Sequence, residues 1–301
     1  MKAQRVRDRG KGRKKLVFLC VCAVLLCLIL PGLNNGLTAA VYHLAADGAS
    51  APVRIAFVSD LHSCAYGTDM RELIDEIDRQ TPDLILLGGD VFDSSLPDDN
   101  AIAFLQGVAG RYPCYYVTGN HEYLTGAERF SQRMAVMEAL GVVRLSGAMA
   151  QVEAGGLRLN ICGVDDPRAW TDAFDPAASA FPSFREQLQA VSALPREGGY
   201  TVLLTHRPEL FDLYCSYGCD LVLAGHAHGG QWRLPWLLNG LYAPNQGLFP
   251  AYAGGRYEKD GTVMIVGRGL ARESTRVPRL YNRPELVIVE LSSGEQAAIN
   301  N

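Results

Sequence analysis

The sequence predicts an α/β domain built from two stacked sheets with helices on their outer faces. Between residues 53 and 225, apolar runs of strand length alternate with segments whose apolar residues recur at helical spacing. Beyond residue 225 the pattern becomes rich in strand-like runs. No second domain boundary interrupts this region, and 301 residues are enough for one large domain with a sizeable core.

The first half of the domain predicts three strands, each followed by a helix. The strands cover residues 53–59, 84–89 and 114–118. The first helix is expected to begin at Thr68 or Asp69, where Asp69 and Glu72 have the spacing of a capping box. Its apolar stripe consists of Met70, Leu73, Ile74 and Ile77. Two more helices are predicted over residues 99–108 and 127–140, the latter ended by a glycine.

The second half predicts mostly strands. Residues 142–145, 151–153 and 157–162 have strand patterns, and a glycine-rich turn joins the last two as a hairpin. The stretch 166–195 is mixed and only partly helical. Two further strands end at His206 and at Gly225, and the runs 262–266 and 286–291 are expected to belong to the second sheet.

Charge is distributed unevenly along the chain. The whole chain has 48% hydrophobic and 20% charged residues and a formal charge of −4, which is typical of a globular protein. Residues 1–15 contain eight Lys or Arg and one Asp, so the remainder holds 20 basic and 31 acidic residues, a net charge of −11. A domain this acidic is a poor binder of nucleic acid through phosphate contacts.

The N-terminus predicts a membrane anchor. The basic block of residues 1–15 continues into an uncharged apolar run over 16–33, close to the length of a spanning helix. The basic flank places the N-terminus in the cytoplasm and the domain outside the cell membrane. A cleaved secretory signal is the alternative, with small residues near Thr38. The predicted segments are the basic segment 1–15, the anchor 16–33, a linker 34–52, the domain 53–294 and a tail 295–301.

Metal-binding side chains follow the predicted strands one after another. Five of the six histidines lie just past a strand-like run, and only His43 lies elsewhere. Ligands of open α/β sheets bind outside the carboxyl ends of strands, so these groups are expected to converge in one crevice. Neutral imidazoles and carboxylates are ligands for divalent metals. The five histidines are His62, His121, His206, His226 and His228.

The order and spacing of these residues resemble the calcineurin-like metallophosphoesterases from about residue 53 to 231. The matching motifs are Asp60-x-His62, Gly89-Asp90-x-x-Asp93, Gly119-Asn120-His121-Glu122, His206 and Gly225-His226-x-His228. The tail resembles the membrane-anchored bacterial phosphodiesterase-type branch through Gly229-Gly230-Gln231, Arg268-Gly269-Leu270, Val277-Pro278-Arg279-Leu280 and Arg283-Pro284-Glu285. The resemblance implies a four-layer αββα sandwich of two mixed sheets flanked by helices.

The resemblance also implies a site for two divalent ions, Mn, Fe or Zn. Asp60, His62 and His228 would hold the first ion, Asn120, His206 and His226 the second, and Asp90 would bridge both. A hydroxide shared by the ions would attack phosphorus in line. His121 would stabilise or protonate the leaving oxygen, and Asp93 would orient that imidazole.

Several of these residues also have structural interpretations. Asp60 and Asp90 are suited to capping helices, His121 to a structural role, and Asp93 to a turn. Asp165 and Asp166 either face the substrate or form a loop turn. Three arginines are suited equally to phosphate contact and to structural or surface roles, namely Arg207, Arg268 and Arg279.

The expected function is a two-metal phosphodiesterase at the outer membrane-facing surface, acting on a lipid-linked or nucleotide-type phosphoester. A phosphomonoesterase acting on soluble substrates and a non-catalytic metal-dependent scaffold are the alternatives. Residues 232–252 contain many aromatic and apolar residues. They predict either a loop that reaches lipid or a lid packed on its own domain.

Overall fold

The computed structural model describes residues 2–171, 182–194, 198–273 and 277–294. Its helices are α1 Lys2–Gly32, α2 Arg71–Gln80, α3 Asp99–Val108, α4 Asn120–Tyr123, α5 Ala127–Ala139, α6 Phe184–Ala193 and α7 Phe211–Cys215. Its strands are β1 Thr38–Ala45, β2 Val53–Val58, β3 Leu84–Gly88, β4 Cys114–Val117, β5 Val143–Arg144, β6 Ala148–Ala154, β7 Leu157–Gly163, β8 Tyr200–Leu204, β9 Leu221–Ala224, β10 Tyr242–Ala243, β11 Gly247–Leu248, β12 Gly255–Lys259, β13 Thr262–Val266 and β14 Glu285–Ser292.

Two six-stranded sheets form the centre of the molecule. The first has the order β1-β14-β2-β3-β4-β5 and the second β12-β13-β9-β8-β7-β6. Strands β2 to β5 run parallel, as do β7, β8, β9 and β13. Parallel neighbours end at the same edge of their sheet, so the residues that follow β2, β3 and β4 start close together.

Three hydrophobic layers confirm the predicted αββα sandwich. Along β2, Ile55 and Phe57 face the core between the sheets, whereas Ala56 and Val58 face a core shared with α2, α3 and α5. The second sheet has its own outer core, where α6 and α7 cover its other face. The central strands of each sheet are buried on both faces, which explains why their sequences are nearly continuous apolar runs and do not alternate.

Most helices and strands lie where the sequence predicts them. Helix α3 has the predicted bounds, and α5 ends one residue earlier than predicted, followed by Gly141 with φ 81°. The β6–β7 hairpin turns at Gly155 and Gly156, whose φ values of 56° and 75° suit the turn type that matches strand twist. Of the mixed stretch 166–195, residues 172–181 lie outside the described part, as does the predicted tail 295–301.

The predicted capping box at Asp69 is wrong. Thr68–Met70 forms a short 3-10 turn, Asp69 and Met70 have left-handed φ values of 53° and 60°, and α2 begins at Arg71 without a side-chain cap. The apolar stripe is nevertheless used, because Met70, Leu73 and Ile77 are buried. Burial of the apolar stripe therefore positions α2, and no capping side chain contributes.

The assignment of β14 to the second sheet is wrong as well. This strand lies in the first sheet, between β1 and β2, parallel to the former and antiparallel to the latter. Its residues are buried on both faces, as a central strand requires. Residues 34–52, predicted as a linker, contain β1, which pairs with β14 along its whole length.

Helix α1 is the one described helix long and apolar enough to cross a membrane. Its segment Lys15–Gly32 has a mean hydropathy of 2.6, a property that spanning helices share with N-terminal signal sequences. The backbone nitrogen of Tyr281 donates to Gly32 O at 2.6 Å. Arg283 donates to the carbonyls of Gly36 and Leu37 at 2.9 and 2.7 Å. The end of α1 is therefore attached to the loop that precedes β14.

Candidate functional site

The predicted metal ligands lie together at the carboxyl ends of the central strands. Asp60 and His62 follow β2, Asp90 follows β3, Asn120 begins α4 directly after β4, His206 follows β8, and His226 and His228 follow β9. Five of these seven residues have left-handed φ values of 47° to 65°. Left-handed backbone is uncommon outside glycine and concentrates at functional sites, where the surrounding structure must hold it in place. The five are Asp60, His62, Asp90, His226 and His228.

The ligands form two adjacent groups. In the first, the ligand atoms of Asp60, His62 and His228 lie within 4.8 Å of one another. In the second, Asp90, His206 and His226 satisfy the same criterion. Each group combines one carboxylate with two imidazoles, the mixed oxygen and nitrogen set that divalent transition metals prefer.

Asp90 lies between the two groups. Its Oδ2 atom is 3.5 Å from Nε2 of His62 and 3.2 Å from Nε2 of His206. Its other oxygen, Oδ1, accepts the backbone N–H of His121 at 2.7 Å. One oxygen is thus held by the chain while the other points between two imidazoles of different groups. This is the arrangement that a bridging carboxylate requires.

Asp60 is held in the same way. Its Oδ1 accepts the backbone N–H of His226 at 2.9 Å, and its Oδ2 remains without a hydrogen bond. A methyl group on Gly225 would lie 2.5 Å from that Oδ2, so glycine is required where β9 passes the carboxylate. The backbone of one sheet therefore orients a carboxylate from the other.

Three imidazoles are oriented through hydrogen bonds on one ring nitrogen each. Nδ1 of His62 contacts Asp93 Oδ2 at 2.9 Å and Nδ1 of His206 contacts Gly88 O at 2.8 Å. Each acceptor favours a proton on Nδ1 and leaves Nε2 directed at Asp90. Nε2 of His226 contacts Asn245 Oδ1 at 2.9 Å and Arg207 Nη1 at 2.8 Å, so an acceptor and a donor together position this ring.

The donor set fits two cations. Six of the seven residues have a buried side-chain N or O atom without a hydrogen-bond partner among the described residues, although buried polar groups are nearly always paired. A bound cation would satisfy such atoms at once. They are Asp60 Oδ2, His62 Nε2, Asp90 Oδ2, Asn120 Oδ1, His206 Nε2 and His228 Nδ1.

The electrostatics of the site also favour cations. Burial opposes charging of His206, yet the adjacent Asp90 carboxylate raises the pKa of His206 to about 10. Burial tends to raise the pKa of Asp90, and His206 and His62 hold it well below its usual range. Burial lowers the pKa of His226 and of His228 well below the usual value, which keeps both imidazoles neutral. Without a metal, His206 is therefore protonated and paired with the Asp90 carboxylate, whereas His226 and His228 keep the lone pairs that a cation needs.

A family model described as calcineurin-like phosphoesterase matches residues 53–230. The chain belongs to the calcineurin-like phosphoesterase family. It is a metallophosphoesterase, a hydrolase of phosphoric ester bonds, and the family depends on two metal ions. The resemblance expected from the motifs is confirmed.

Relatives support this family assignment over most of the chain. Phosphodiesterase YaeI of Escherichia coli is 29% identical over 247 residues, which cover 80% of this chain and 83% of the relative. An uncharacterized metallophosphoesterase of Helicobacter pylori is 28% identical over 60% of this chain, and the alignment spans 45% of that relative's length. The solved structure of the Haemophilus influenzae NAD nucleotidase (NadN) is 15% identical. It has a TM-score of 0.50 over 76% of this chain and 46% of its own, and shows the shared fold.

His121 lies at the mouth of the metallophosphoesterase pocket. Its side chain is 27% exposed, and its ring stands perpendicular to that of His62 with centroids 4.4 Å apart. Nδ1 of His121 is 3.4 Å from Asp93 Oδ2, which is closer to His62 at 2.9 Å. Asp93 therefore contacts two imidazoles, and its shorter contact is to a predicted metal ligand.

Two residues at the site had no predicted role. Buried Glu122 accepts the backbone N–H groups of Asp90, Phe92 and Gly119 at 2.8–3.2 Å and so joins the loops after β3 and β4. Asn245 accepts from His226, and also from Arg207 at 2.5 Å. Glu122 belongs to the motif Gly119-Asn120-His121-Glu122, whereas nothing in the spacing of Asn245 distinguishes it from other loop residues.

Most of the arginines and aspartates for which the sequence allowed either a substrate-binding or a structural role make structural contacts. Asp165 is buried among Thr118, Arg144 and Gln187, and Asp166 pairs with Arg207 while accepting the N–H of Arg168. Arg279 is 1% exposed and donates to three carbonyls of the loop after β13. Arg207 lines the metal pocket, and Arg268 lies away from it.

Proposed function

We propose that this protein is a membrane-anchored phosphodiesterase that hydrolyses its substrate at a centre of two divalent cations. The observation that carries the proposal is the convergence of seven predicted ligands, six of which have a buried side-chain N or O atom without a hydrogen bond. A scaffold that only recruits a partner has no need of ligand atoms kept free in this way.

In this proposal, Asp60, His62 and His228 would hold one ion. Asn120, His206 and His226 would hold the other, and Asp90 would be shared between them. Bound ions would supply Lewis-acid polarisation of the phosphoryl group and an acidified water. The carboxylate of Asp90 would offset the mutual repulsion of the cations, and the neutral amide oxygen of Asn120 would add a ligand without adding charge.

His121 is the proposed proton donor to the leaving oxygen. It follows a proposed ligand directly, and its partly exposed ring reaches the pocket mouth. Burial disfavours its charged form, but Asp93 and Asp90 together raise the pKa of His121 above its usual value. A protonated imidazole is thereby available near neutral pH, as general acid catalysis requires. Asp93 orients both His121 and His62.

A diester is the proposed substrate class. Two arginines line the pocket, Arg168 and Arg207, and the guanidinium of Arg207 is paired with Asp166. This limited cationic lining suits the single negative charge of a diester better than the double charge of a monoester. The relative named phosphodiesterase YaeI, aligned over 80% of this chain, agrees with this choice.

The proposed location is the outer face of the cell membrane, with α1 as the anchor. The basic residues before the apolar segment favour a cytoplasmic N-terminus and an extracytoplasmic domain. A lipid-linked phosphodiester in the same membrane would then be within reach of the pocket, and a nucleotide-type diester would reach it from solution.

Metal removal tests the proposal directly. Purified full-length protein is assayed for metal content and for hydrolysis of bis(p-nitrophenyl) phosphate and p-nitrophenyl phosphate. Chelation should abolish hydrolysis of the diester, and added Mn, Fe or Zn should restore it. Faster turnover of the monoester would replace the diester assignment with a phosphomonoesterase. Hydrolysis that survives chelation would contradict the two-metal centre.

Asp90→Asn should reduce hydrolysis by more than about 100-fold, because even groups that only orient metal ligands commonly contribute 10–100-fold. The matched control is Asp212→Asn. Asp212 is an exposed carboxylate of α7 that pairs with Lys259 and is not one of the proposed metal ligands. Circular dichroism verifies that both variants fold. Wild-type activity in Asp90→Asn would rule out the bridging role.

A further inference from the structure

A groove lies beside the end of α1, away from the metal pocket. Its volume is about 600 Å³, and its lining includes Arg233, Arg268, Trp236, Leu237 and Tyr281. We call it the Arg233–Arg268 groove. Tyr281 connects it to the anchor, because the backbone of that residue is hydrogen-bonded to Gly32 at the end of α1.

The groove has more positive charge than its own carboxylates neutralise. Nε of Arg268 lies 3.0 Å from the buried carboxylate of Glu285. Arg233 donates to Gly229 O and Asn239 Oδ1, which are neutral acceptors. The two arginines approach the same backbone position, since a methyl group on Gly254 would lie 3.2 Å from Nη1 of Arg233 and 3.0 Å from Cγ of Arg268. Burial and repulsion from Arg268 lower the pKa of Arg233, and Glu285 acts in the opposite direction. An anion bound between them would relieve that repulsion.

The rim of the groove is apolar and exposed. Trp236 and Leu237 are 105% and 83% exposed, and Leu234, which also lines the groove, is 44% exposed. Large exposed apolar side chains grouped in this way mark an interaction surface. Tryptophan and arginine beside a spanning helix are characteristic of the interface between lipid headgroups and acyl chains.

We propose that the Arg233–Arg268 groove binds the phosphate headgroup of an anionic phospholipid while Trp236 and Leu237 insert among the acyl chains. Its continuity with the end of α1 is the reason to choose a lipid, since the anchor holds the groove at the membrane surface. The proposal rests on the proposed membrane location. It adds a lipid site separate from the metal pocket, and this site orients the pocket relative to the membrane.

Quenching of tryptophan fluorescence by brominated lipid tests the insertion. Full-length protein is placed in nanodiscs of brominated phosphatidylcholine, with or without phosphatidylglycerol. Subtracting the quenching seen in Trp236→Phe isolates the signal of Trp236. We expect Trp236 to be quenched, and more strongly with phosphatidylglycerol. Absence of quenching in both nanodiscs would overturn the proposal.

Charge variants test the headgroup site. A basic residue near an anionic surface contributes about 1 kcal/mol, so Arg233→Gln should raise the phosphatidylglycerol content needed for half-maximal quenching about fivefold. Arg268→Lys keeps the charge beside Glu285 and should change it less. Arg79→Gln is the control, since Arg79 is an exposed arginine on α2. Equal shifts in Arg233→Gln and Arg79→Gln would reduce the groove to a nonspecific surface charge.

Two further measurements separate the sources of failure. Glycerol phosphate added to phosphatidylcholine nanodiscs should leave the quenching unchanged; an equal response to glycerol phosphate would indicate a site for soluble phosphate and would overturn the lipid assignment. Metal-dependent hydrolysis of bis(p-nitrophenyl) phosphate is measured on the same samples. Intact hydrolysis without lipid-dependent quenching refutes the groove alone, whereas lipid-dependent quenching without hydrolysis refutes the proposed catalytic function alone.

Discussion

At the scale of single residues, the site is organised by polar atoms that the chain leaves without partners. A buried acceptor without a hydrogen bond costs about 1–3 kcal/mol, and Asp60 Oδ2 is of this kind. Asp90 Oδ2 also lacks a hydrogen bond and lies 3.5 and 3.2 Å from the imidazoles of His62 and His206. The second oxygen of each carboxylate, Oδ1, accepts a backbone N–H group, so the chain is able to provide hydrogen-bond donors here. Retaining unpaired oxygens in a stable core is the mark of a site built for a ligand.

Asn245 positions the imidazole of His226. Its Oδ1 lies 2.9 Å from Nε2 of His226 and accepts from Nη1 of Arg207 at 2.5 Å, and the same Nη1 lies 2.8 Å from Nε2. Asn245→Gly should lower metal content or affinity 10–100-fold with the fold intact. Glycine is the suitable replacement because Asn245 has a φ of 60°. Metal per chain is measured by mass spectrometry across a range of buffered metal concentrations.

Asn245→Asp is the matched variant, because it keeps an oxygen acceptor and should retain metal binding. Gln132→Ala, a change on the exposed face of α5, controls for handling losses. Undiminished metal affinity in Asn245→Gly would show that His226 is oriented by other contacts.

Sequence reasoning succeeded for residues whose identity and spacing are both informative. An apolar run directly precedes Asp60 and His62, and another precedes His226 and His228. The predicted strands therefore place these residues at the carboxyl edge of a sheet. Asn245 sits in the loop between β10 and β11, where asparagine is common for reasons of turn geometry alone. Its contact with His226 depends on how that loop folds back over β9, which local pattern does not encode.

At the scale of helices and strands, the loop after β3 is held by α5. Arg133 of α5 is 2% exposed, donates to Asp93 O at 2.5 Å and to Asp98 at 2.7 Å, and its guanidinium lies over the ring of Phe92. A core helix thus fixes the segment that carries Asp93. Asp93 in turn contacts His62 and His121. The packing of Arg133 therefore affects the position of two imidazoles in the metal pocket.

Arg133→Met should destabilise the domain by about 3 kcal/mol, the lower end of the range for breaking a buried ion pair. Removing Arg129 in the same way should cost no more than about 1 kcal/mol, because its pair with Asp98 is more exposed. Denaturant unfolding of the full-length variants gives both values. Similar losses in the two variants would mean that burial of Arg133 contributes nothing beyond a surface contact.

The sequence predicts where most strands lie, but it does not predict which strands pair with one another. The strand pattern of β14 is visible in its apolar run, but a run buried on both faces fits any central position of either sheet. Its place beside β2 follows from antiparallel pairing of Val287 with Phe57 and from the chain path of the tail. β1 went unrecognised because its apolar run, Ala39 to Tyr42, is short, begins with two small residues and ends at His43.

At the scale of the whole molecule, the end of α1 and the domain are joined by shared structure. β1 begins six residues after α1 ends and pairs with β14 along its whole length, from Thr38 opposite Glu285 to Ala45 opposite Ser292. The small residues near Thr38 that suit a signal peptidase therefore lie inside a sheet. Cleavage after Ala40 would remove the first three residues of β1 and the hydrogen bonds from Arg283 to Gly36 and Leu37.

This arrangement predicts that α1 remains part of the working protein. Native protein purified from membranes should retain its N-terminal peptide by mass spectrometry, and protease added to intact spheroplasts should digest the domain while sparing the basic segment 1–15. Leu16→Arg combined with Val24→Arg should release the protein from the membrane fraction, since each arginine within the span opposes insertion by about 2.5–3.5 kcal/mol. A mature protein that begins after Ala40 and remains fully active would show instead that the sheet tolerates a shortened β1.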